Sequence, residues 1–423
     1  MNVRAVAELS PDKRAALFER DAGVADARET AREIVDRVRT EGDVAVREYA
    51  EEFDGVSVGN IDVTDEAERA ADHLDDRLLA HIERAAANVR EFHEAQLPDD
   101  WTREFDGREL GRRYRPLERV GAYVPGGTAA YPSSALMTVV PATVAGVDHV
   151  AVATPPAEEL NDATLAAIHV AGADAVYQIG GAQAVAALAY GTETVSRVQK
   201  IVGPGNRFVT AAKAEVRADC EIDFLAGPSE ILVLADGDAD PELVAADLIA
   251  QAEHDPNASV VVVTPDDDLA TAVADACERQ VSDRERTDVI ETALGNDASG
   301  VFTARSMSEA VLFAGEYAAE HLSIQAKNDE TLLDRIGAGG SVFLGPYSPV
   351  AAGDYATGTN HVLPTGGLAK TTGGLSVDHF LVSQTVQRLD RDALDDIADT
   401  VTALAEAEGL DAHAESVRKR VDK

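Results

Sequence analysis

A chain of 423 residues is too long for one ordinary core and predicts two or more domains, while a 45% apolar share is that of a soluble globular protein. Its 76 acidic against 37 basic residues leave a net charge of −39, which argues against nucleic acid as a partner because phosphate binding needs clustered Lys and Arg. No apolar run reaches the roughly 18 residues of a membrane span, and the start MNVRAVAELSPDKR lacks a signal-peptide core, so no membrane partner and a cytoplasmic location are expected.

The acids are spread along the chain rather than held in a tail, and lysines are sparse beside arginines. This pattern predicts a solvated surface adapted to high salt, where self-repulsion is screened. Cys220 and Cys277 offer neither a disulfide framework nor a thiolate metal site and read as small buried hydrophobes.

Taken in order, Ser10-Pro11 reads as an N-cap followed by proline at the first helical position, heading an N-terminal arm over residues 1–20. Helical periodicity resumes at Ala25, breaks at Gly42 and continues through Val46 to Phe53. Thr64 opens a pattern read as one long helix through Leu78, Ile82, Ala86, Val89 and Phe92, closed at Pro98, with His73, His81 and His93 on its exposed face. From about Val120 short apolar runs alternate with helices, the signature of an α/β parallel sheet. The predicted strands include His149–Ala153, Ala175–Ile179, Lys200–Val202, Ile231–Ala235, Ser259–Thr264 and Ser341–Leu344. After about Gly374 the sheet pattern stops, and a last long helix from about Arg391 to Glu408 leads into a charged tail.

Four glycine-containing turns punctuate this pattern: Tyr123-Val124-Pro125-Gly126-Gly127, Gly180-Gly181-Ala182-Gln183, Gly203-Pro204-Gly205-Asn206 and Gly227-Pro228-Ser229-Glu230. In a parallel sheet such turns lie at the carboxyl edge, where glycine lets backbone N–H groups approach a phosphate or substrate. Each alone is equally a tight βα turn; together they point to a site. No GxGxxG is present, so a standard dinucleotide fingerprint is absent.

Gln251 and His254, three residues apart at the end of a helix, share a face and can grip a common atom or form a surface hydrogen-bonded pair. The adjacent Glu320 and His321 can divide acid and base work. Gly353 to His361 is a loop read as too polar for core, and its Asp354 and His361 suit zinc or manganese. Glu408 and His413 supply another acid and histidine, which by themselves read as a solvated helix end.

Taken together, VGAYVPGG, IGGAQAVAALAYGTETV, KIVGPGN, AGPSEILV, DLIAQAEH, EHLS, AGDYATGTNHVLPT and the terminal AEGLDAH resemble the histidinol dehydrogenase family in order and spacing over nearly the whole chain. The resemblance implies oxidation of L-histidinol to L-histidine through an enzyme-held aldehyde in two NAD-dependent steps. It makes Gln251, His254, Asp354 and His413 the ligands of one zinc ion per subunit, the last contributed by the partner in a homodimer with shared sites. It makes Glu320 and His321 the catalytic pair, and Ser229, His361 and Glu408 substrate contacts beside Gln251, His254, His321, Asp354 and His413. Tyr123, Gln183 and Asn206 match its NAD contacts. A relative oxidising another polar alcohol or diol, or a zinc hydrolase, is the alternative.

The expected architecture is α/β, with two incomplete Rossmann-like domains built on parallel sheets and small helical extensions at both ends. Residues 21–122 and 231–375 would form the first domain, carrying metal and catalytic residues, 123–230 the second, carrying NAD contacts, and 376–423 an extension reaching the partner. Two residues depart from the family's pattern: Ala319 stands where proline is expected, and Gly366 where an aromatic is commoner.

Overall fold

A computed structural model describes residues 1–20, 23–126, 130–282 and 284–422, without side-chain detail at positions 16 and 19; Gly127 of the first glycine turn lies outside the described residues. Two parallel sheets carry the architecture. A six-stranded sheet runs Val3–Ala5, Gly300–Thr303, Ser259–Thr264, Glu230–Ala235, His321–Gln325, Ser341–Leu344 across its width, every pairing parallel. Its central strands EILVLA and SVVVVT are buried at every residue, as continuous β-branched runs covered by helices on both faces must be. A five-stranded sheet, also wholly parallel, orders Ala175–Gln178, His149–Thr154, Arg119–Tyr123, Lys200–Val202 and Glu221–Ile222. The α/β class with two parallel-sheet bodies is therefore as the pattern implied.

The ends of the chain differ from expectation. Residues 1–20 are not a free arm: Val3–Ala5 forms an edge strand of the six-stranded sheet, and Leu17 is buried in that sheet's core with Phe313 and Tyr317. The sheet pattern does not stop at Gly374. Leu381–Leu389 pairs antiparallel with Arg108–Pro116, which pairs with Trp101–Phe105, giving a third sheet. Its two outer strands are exposed over most of their length, so they lack the apolar alternation by which a half-buried strand is read. The charged tail is itself a helix, Asp411–Val421, packed on Arg391–Ala407.

The long helix expected from Thr64 is two, Thr64–His73 and Asp76–Glu94. Leu74 turns extended, and the Asp75 carboxylate accepts from the N–H of Leu78, a new N-cap inside what periodicity alone joins. His93 on the second helix is fully buried rather than exposed, its Nδ1 bonded to the Val89 carbonyl oxygen at 2.7 Å. Nor do the early helices sit with the 231–375 half. Val24–Glu41 packs on Arg207–Val216 and Gly181–Tyr190, Thr64–His73 on Asp162–Ala171, and Asp76–Glu94 on Pro132–Ala145 and Asp162–Ala171, around the five-stranded sheet. An apolar helix face records that it must be covered, not by which sheet. No helix among the described residues is long and apolar enough to cross a membrane.

Candidate active site

The strands place the proposed catalytic residues at an edge the sequence did not point to. Glu230 is the first residue of its strand, and His321 the first of the neighbouring one, with His321 in register with Ile231. The turn Gly227-Pro228-Ser229-Glu230 therefore leads into a strand, at the amino edge of the six-stranded sheet, instead of following one. The other three turns do follow strands, at the carboxyl edge of the five-stranded sheet. The segment between the sheets touches both: Ala226 accepts from the Thr210 hydroxyl, and Gly227 N–H donates to Thr365 Oγ1 at 2.6 Å.

At the amino edge, buried charge collects. Glu320 and His321 are 6% and 4% exposed, and Asp354 is 8% exposed. His321 Nδ1 lies 3.0 Å from the Glu230 carbonyl oxygen and 3.5 Å from Glu320 Oε2, while Nε2 lies 3.6 Å from Asp354 Oδ1. A carbonyl can only accept, so this contact assigns the proton of a neutral His321 to Nδ1 and leaves the lone pair on Nε2. Burial works to lower the His321 pKa, but the flanking Glu320 and Asp354 carboxylates outweigh it and lift the imidazole to about 10. Burial works to raise Asp354; His321, then His361 and His254, hold it below the ordinary carboxylate value.

Asp354 is not in a polar loop but in the short helix Val350–Tyr355, and its carbonyl oxygen holds His361 Nδ1 at 2.9 Å. Burial lowers the pKa of His361. The neighbouring Asn360 ties this loop to the core: its Nδ2 donates to the Met137 carbonyl at 2.7 Å and lies 3.5 Å from His93 Nε2. His93 and Asn360 drew no role from the sequence, and only adjacence to His361 hinted at the second.

Gln251 is 2% exposed at the end of the Pro241–Ala252 helix, its Nε2 without a hydrogen-bond partner among the described residues. His254 lies just past that helix, not on it; its N–H reaches the Gln251 carbonyl at 3.3 Å, and its side chain is exposed. Among the described residues, no three His, Cys, Asp or Glu side chains are arranged to hold a metal ion. Glu408, just past Arg391–Ala407, and His413, on Asp411–Val421, are exposed. Ser229 is half-buried, its carbonyl accepting from Ser259 N–H at 2.9 Å.

The carboxyl edge of the five-stranded sheet is built differently. The buried Tyr123 hydroxyl accepts from the N–H of Gly181, the first residue of its helix, at 3.1 Å, and burial pushes its pKa up to about 12. Gln183 is 2% exposed, with Oε1 unpartnered among the described residues. Asn206 is exposed and caps Arg207–Val216, its Oδ1 accepting from Phe208 and Val209 N–H at 2.9 and 3.2 Å. Gly203 has φ +107°, and a Cβ there would lie 2.3 Å from the Tyr123 carbonyl oxygen, so glycine is required on both counts. A buried ion pair that sequence reading missed locks this turn. Lys213 Nζ donates to Asp223 Oδ1 at 2.7 Å and to the Gly203 carbonyl at 2.5 Å, and Gly203 N–H donates to Asp223 Oδ2 at 2.7 Å.

Fold and site together define an α/β enzyme on two parallel sheets, with a buried cluster of carboxylates and histidines at one sheet edge and glycine turns at the carboxyl edge of the other. The chain belongs to the histidinol dehydrogenase family, NAD-dependent oxidoreductases, whose sequence model matches residues 18–421. It is 74% identical over 422 residues to histidinol dehydrogenase of Natronomonas pharaonis, covering 100% of both chains. To that of Methanosarcina mazei it is 48% identical over 425 residues, covering 99% of this chain and 98% of the relative. The crystal structure of histidinol dehydrogenase from Elizabethkingia anophelis superposes with a TM-score of 0.94 at 36% identity, covering 100% of this chain and 97% of that one.

Of the two departures, Ala319 is buried beside Glu320 and its carbonyl accepts from Gly340 N–H. Gly366 has φ +63° and donates its N–H to Glu230 Oε1 at 2.7 Å, so the glycine fits its backbone and joins the charged edge.

Proposed function

We propose that this chain oxidises L-histidinol to L-histidine through histidinal, in two successive NAD-dependent steps. The observation that carries the reading is the meeting of Glu320, His321, Asp354 and His361 from separated segments at one buried sheet edge. In the first step His321 acts as the neutral imidazole, taking the hydroxyl proton of the substrate carbinol on Nε2 as hydride passes from carbon to NAD. The Asp354 charge that raises its pKa is what a cation held by Asp354 would offset. Glu320 then takes a proton from water adding to the aldehyde, and His321 serves again as the hydrated aldehyde loses hydride and becomes the carboxylate. Each oxidation consumes one NAD; the first releases one proton, and the second, ending at the carboxylate, releases two. The bond from Nδ1 to the Glu230 carbonyl keeps the ring oriented through both steps.

The metal reading rests on a donor set of one amide, two imidazoles and one carboxylate: Gln251, His254, Asp354 and the partner's His413. Gln251 is buried with its amide Nε2 unpartnered; a cation takes the amide oxygen, which the reversed orientation of the same amide would present. Zinc held there would supply Lewis acidity that orients the substrate imidazole and amine and offsets the Asp354 charge, while NAD would accept the hydride. Ser229, His361 and Glu408 would contact substrate, and Tyr123, Gln183 and Asn206 the cofactor.

A homodimer is the proposed assembly. Glu408 and His413 stand exposed, as ligands destined for another chain's site would. The three-stranded sheet exposes Trp101, Phe105, Val382 and Val386, apolar side chains that a second subunit would cover.

The test supplies L-histidinol, NAD and zinc in concentrated salt, as the charge of −39 calls for, and follows NADH absorbance. Two NADH per histidinol support the reading. A silent assay overturns it, and turnover of a different alcohol reassigns the substrate. His413→Ala and His321→Ala proteins, each inactive, should regain part of their activity on forming mixed dimers; no recovery in verified hybrids places the whole site within one chain.

A further inference from the structure

We infer that Arg20 and Glu230 are positioning residues for the catalytic pair, a buried ion pair that fixes where Glu320 and His321 stand. Glu230 reaches both of them with its own backbone: its N–H donates to Glu320 Oε2 at 2.7 Å, and its carbonyl holds His321 Nδ1 at 3.0 Å. Its carboxylate answers in return, Oε2 lying 3.4 Å from the Glu320 N–H. Glu230 is therefore the residue through which the orientation of the acid and the tautomer of the base are set together.

Glu230 is in turn held by the N-terminal segment. Arg20 Nε donates to Glu230 Oε1 at 2.8 Å and Nη2 to the Tyr317 carbonyl at 2.9 Å, with the guanidinium 3.7 Å above the Tyr317 ring. The two side chains are 5% and 3% exposed, far drier than any pair retained for surface solubility. Arg20 also has φ 39°, a left-handed backbone that a non-glycine residue keeps only where its surroundings over-determine it. The fork geometry and stacking make arginine specific here: a lysine ammonium offers neither the second directed bond nor the flat face. Burying a cation and an anion costs stability, and an uncharged pair would hold the strand as well. What the charges add is direction, imposed on a carboxylate whose other neighbour is Glu320.

The inference rests on the roles proposed for Glu320 and His321, and its test separates the two. In the zinc-loaded dimer, Arg20→Met should lower kcat about tenfold to a hundredfold for histidinol and histidinal alike, with KM for NAD within about twofold. Arg20→Lys should recover part of the loss. Arg20→Met/Glu230→Gln, which leaves no lone buried charge, should regain thermal stability over Arg20→Met without regaining kcat. Unchanged kcat in folded Arg20→Met, or kcat restored in step with stability, overturns the inference. A crystal structure of Arg20→Met decides independently of any substrate. Loss of the Glu230 contact to Glu320 or His321 supports positioning, whereas both catalytic side chains unmoved overturns it, even should the wild-type chain prove silent toward histidinol.

Discussion

The two parallel sheets present edges of opposite character. At the amino edge of the six-stranded sheet, Glu230, Glu320, His321 and Asp354 are titratable side chains withdrawn from water and facing one another. At the carboxyl edge of the five-stranded sheet the named groups are a phenol, two amides and backbone N–H groups, and the buried pair Lys213–Asp223 spends its charge on the Gly203 peptide. Moving protons demands groups whose charge can change, and only burial beside like or opposite charge tunes them. Receiving an anionic cofactor demands donors that never titrate, and glycine turns bring the backbone close enough to serve. The same strand–helix logic thus yields a charged edge and a glycine-turn edge, the reactive and the binding edge of the proposed function, according to which end of the strands carries which residues.

The sharpest way to break this contrast is to remove charge from the reactive edge. His321→Asn should lower kcat roughly a thousandfold while the protein stays folded, read as the rate of NADH formation. A comparable loss from a binding-edge substitution such as Tyr123→Phe would erase the distinction. Lys213→Met tests the opposite side: it leaves the Asp223 carboxylate buried and unpaired, at a cost of about 3–5 kcal/mol, measured as a lower urea midpoint in concentrated salt.

A pH series sharpens the reactive edge. Burial raises the Glu230 pKa, against Arg20 and the Gly366 N–H, to about 7 from the ordinary 4.5. The folded state therefore holds this proton more tightly than the unfolded chain. Stability from the group is complete below pH 4.5 and is lost as pH rises through about 7, on the order of 3 kcal/mol. Glu230→Gln should remove that slope, so the difference between the two proteins' unfolding free energies should change between pH 4.5 and 7; a constant difference rejects the assignment. The smallest effect belongs to Tyr123→Phe. Deleting one neutral hydrogen bond to Gly181 should cost about 1 kcal/mol, a severalfold rise in KM for NAD at unchanged kcat.

Much of the site was legible because catalytic chemistry needs particular side chains in recognisable company. Glu320-His321, Gln251 with His254, and the Asp354–His361 stretch each stand out by residue type, and their order matched a family. Arg20 carried no such signal: one arginine after a short helix looks like solvent-facing charge until Glu230 is seen opposite it. His93 was read as exposed because its helix is polar, yet the partner that buries it, Asn360, lies 267 residues away. The break at Leu74–Asp75 was readable as a cap but was overridden by continuous spacing on either side.

By itself the sequence determined the parallel-sheet class, since continuous apolar runs such as SVVVVT survive only between two covering layers. It determined the glycine at 203, because local backbone sterics admit few substitutes, and it singled out Glu320 and His321 as candidates by residue type. Only the tertiary structure decided which sheet the early helices cover, that Leu381–Leu389 crosses back to Arg108–Pro116, and that Glu230 and His321 begin their strands side by side. Those are long-range pairings, and an apolar face or a buried charge states a requirement for a partner without naming it.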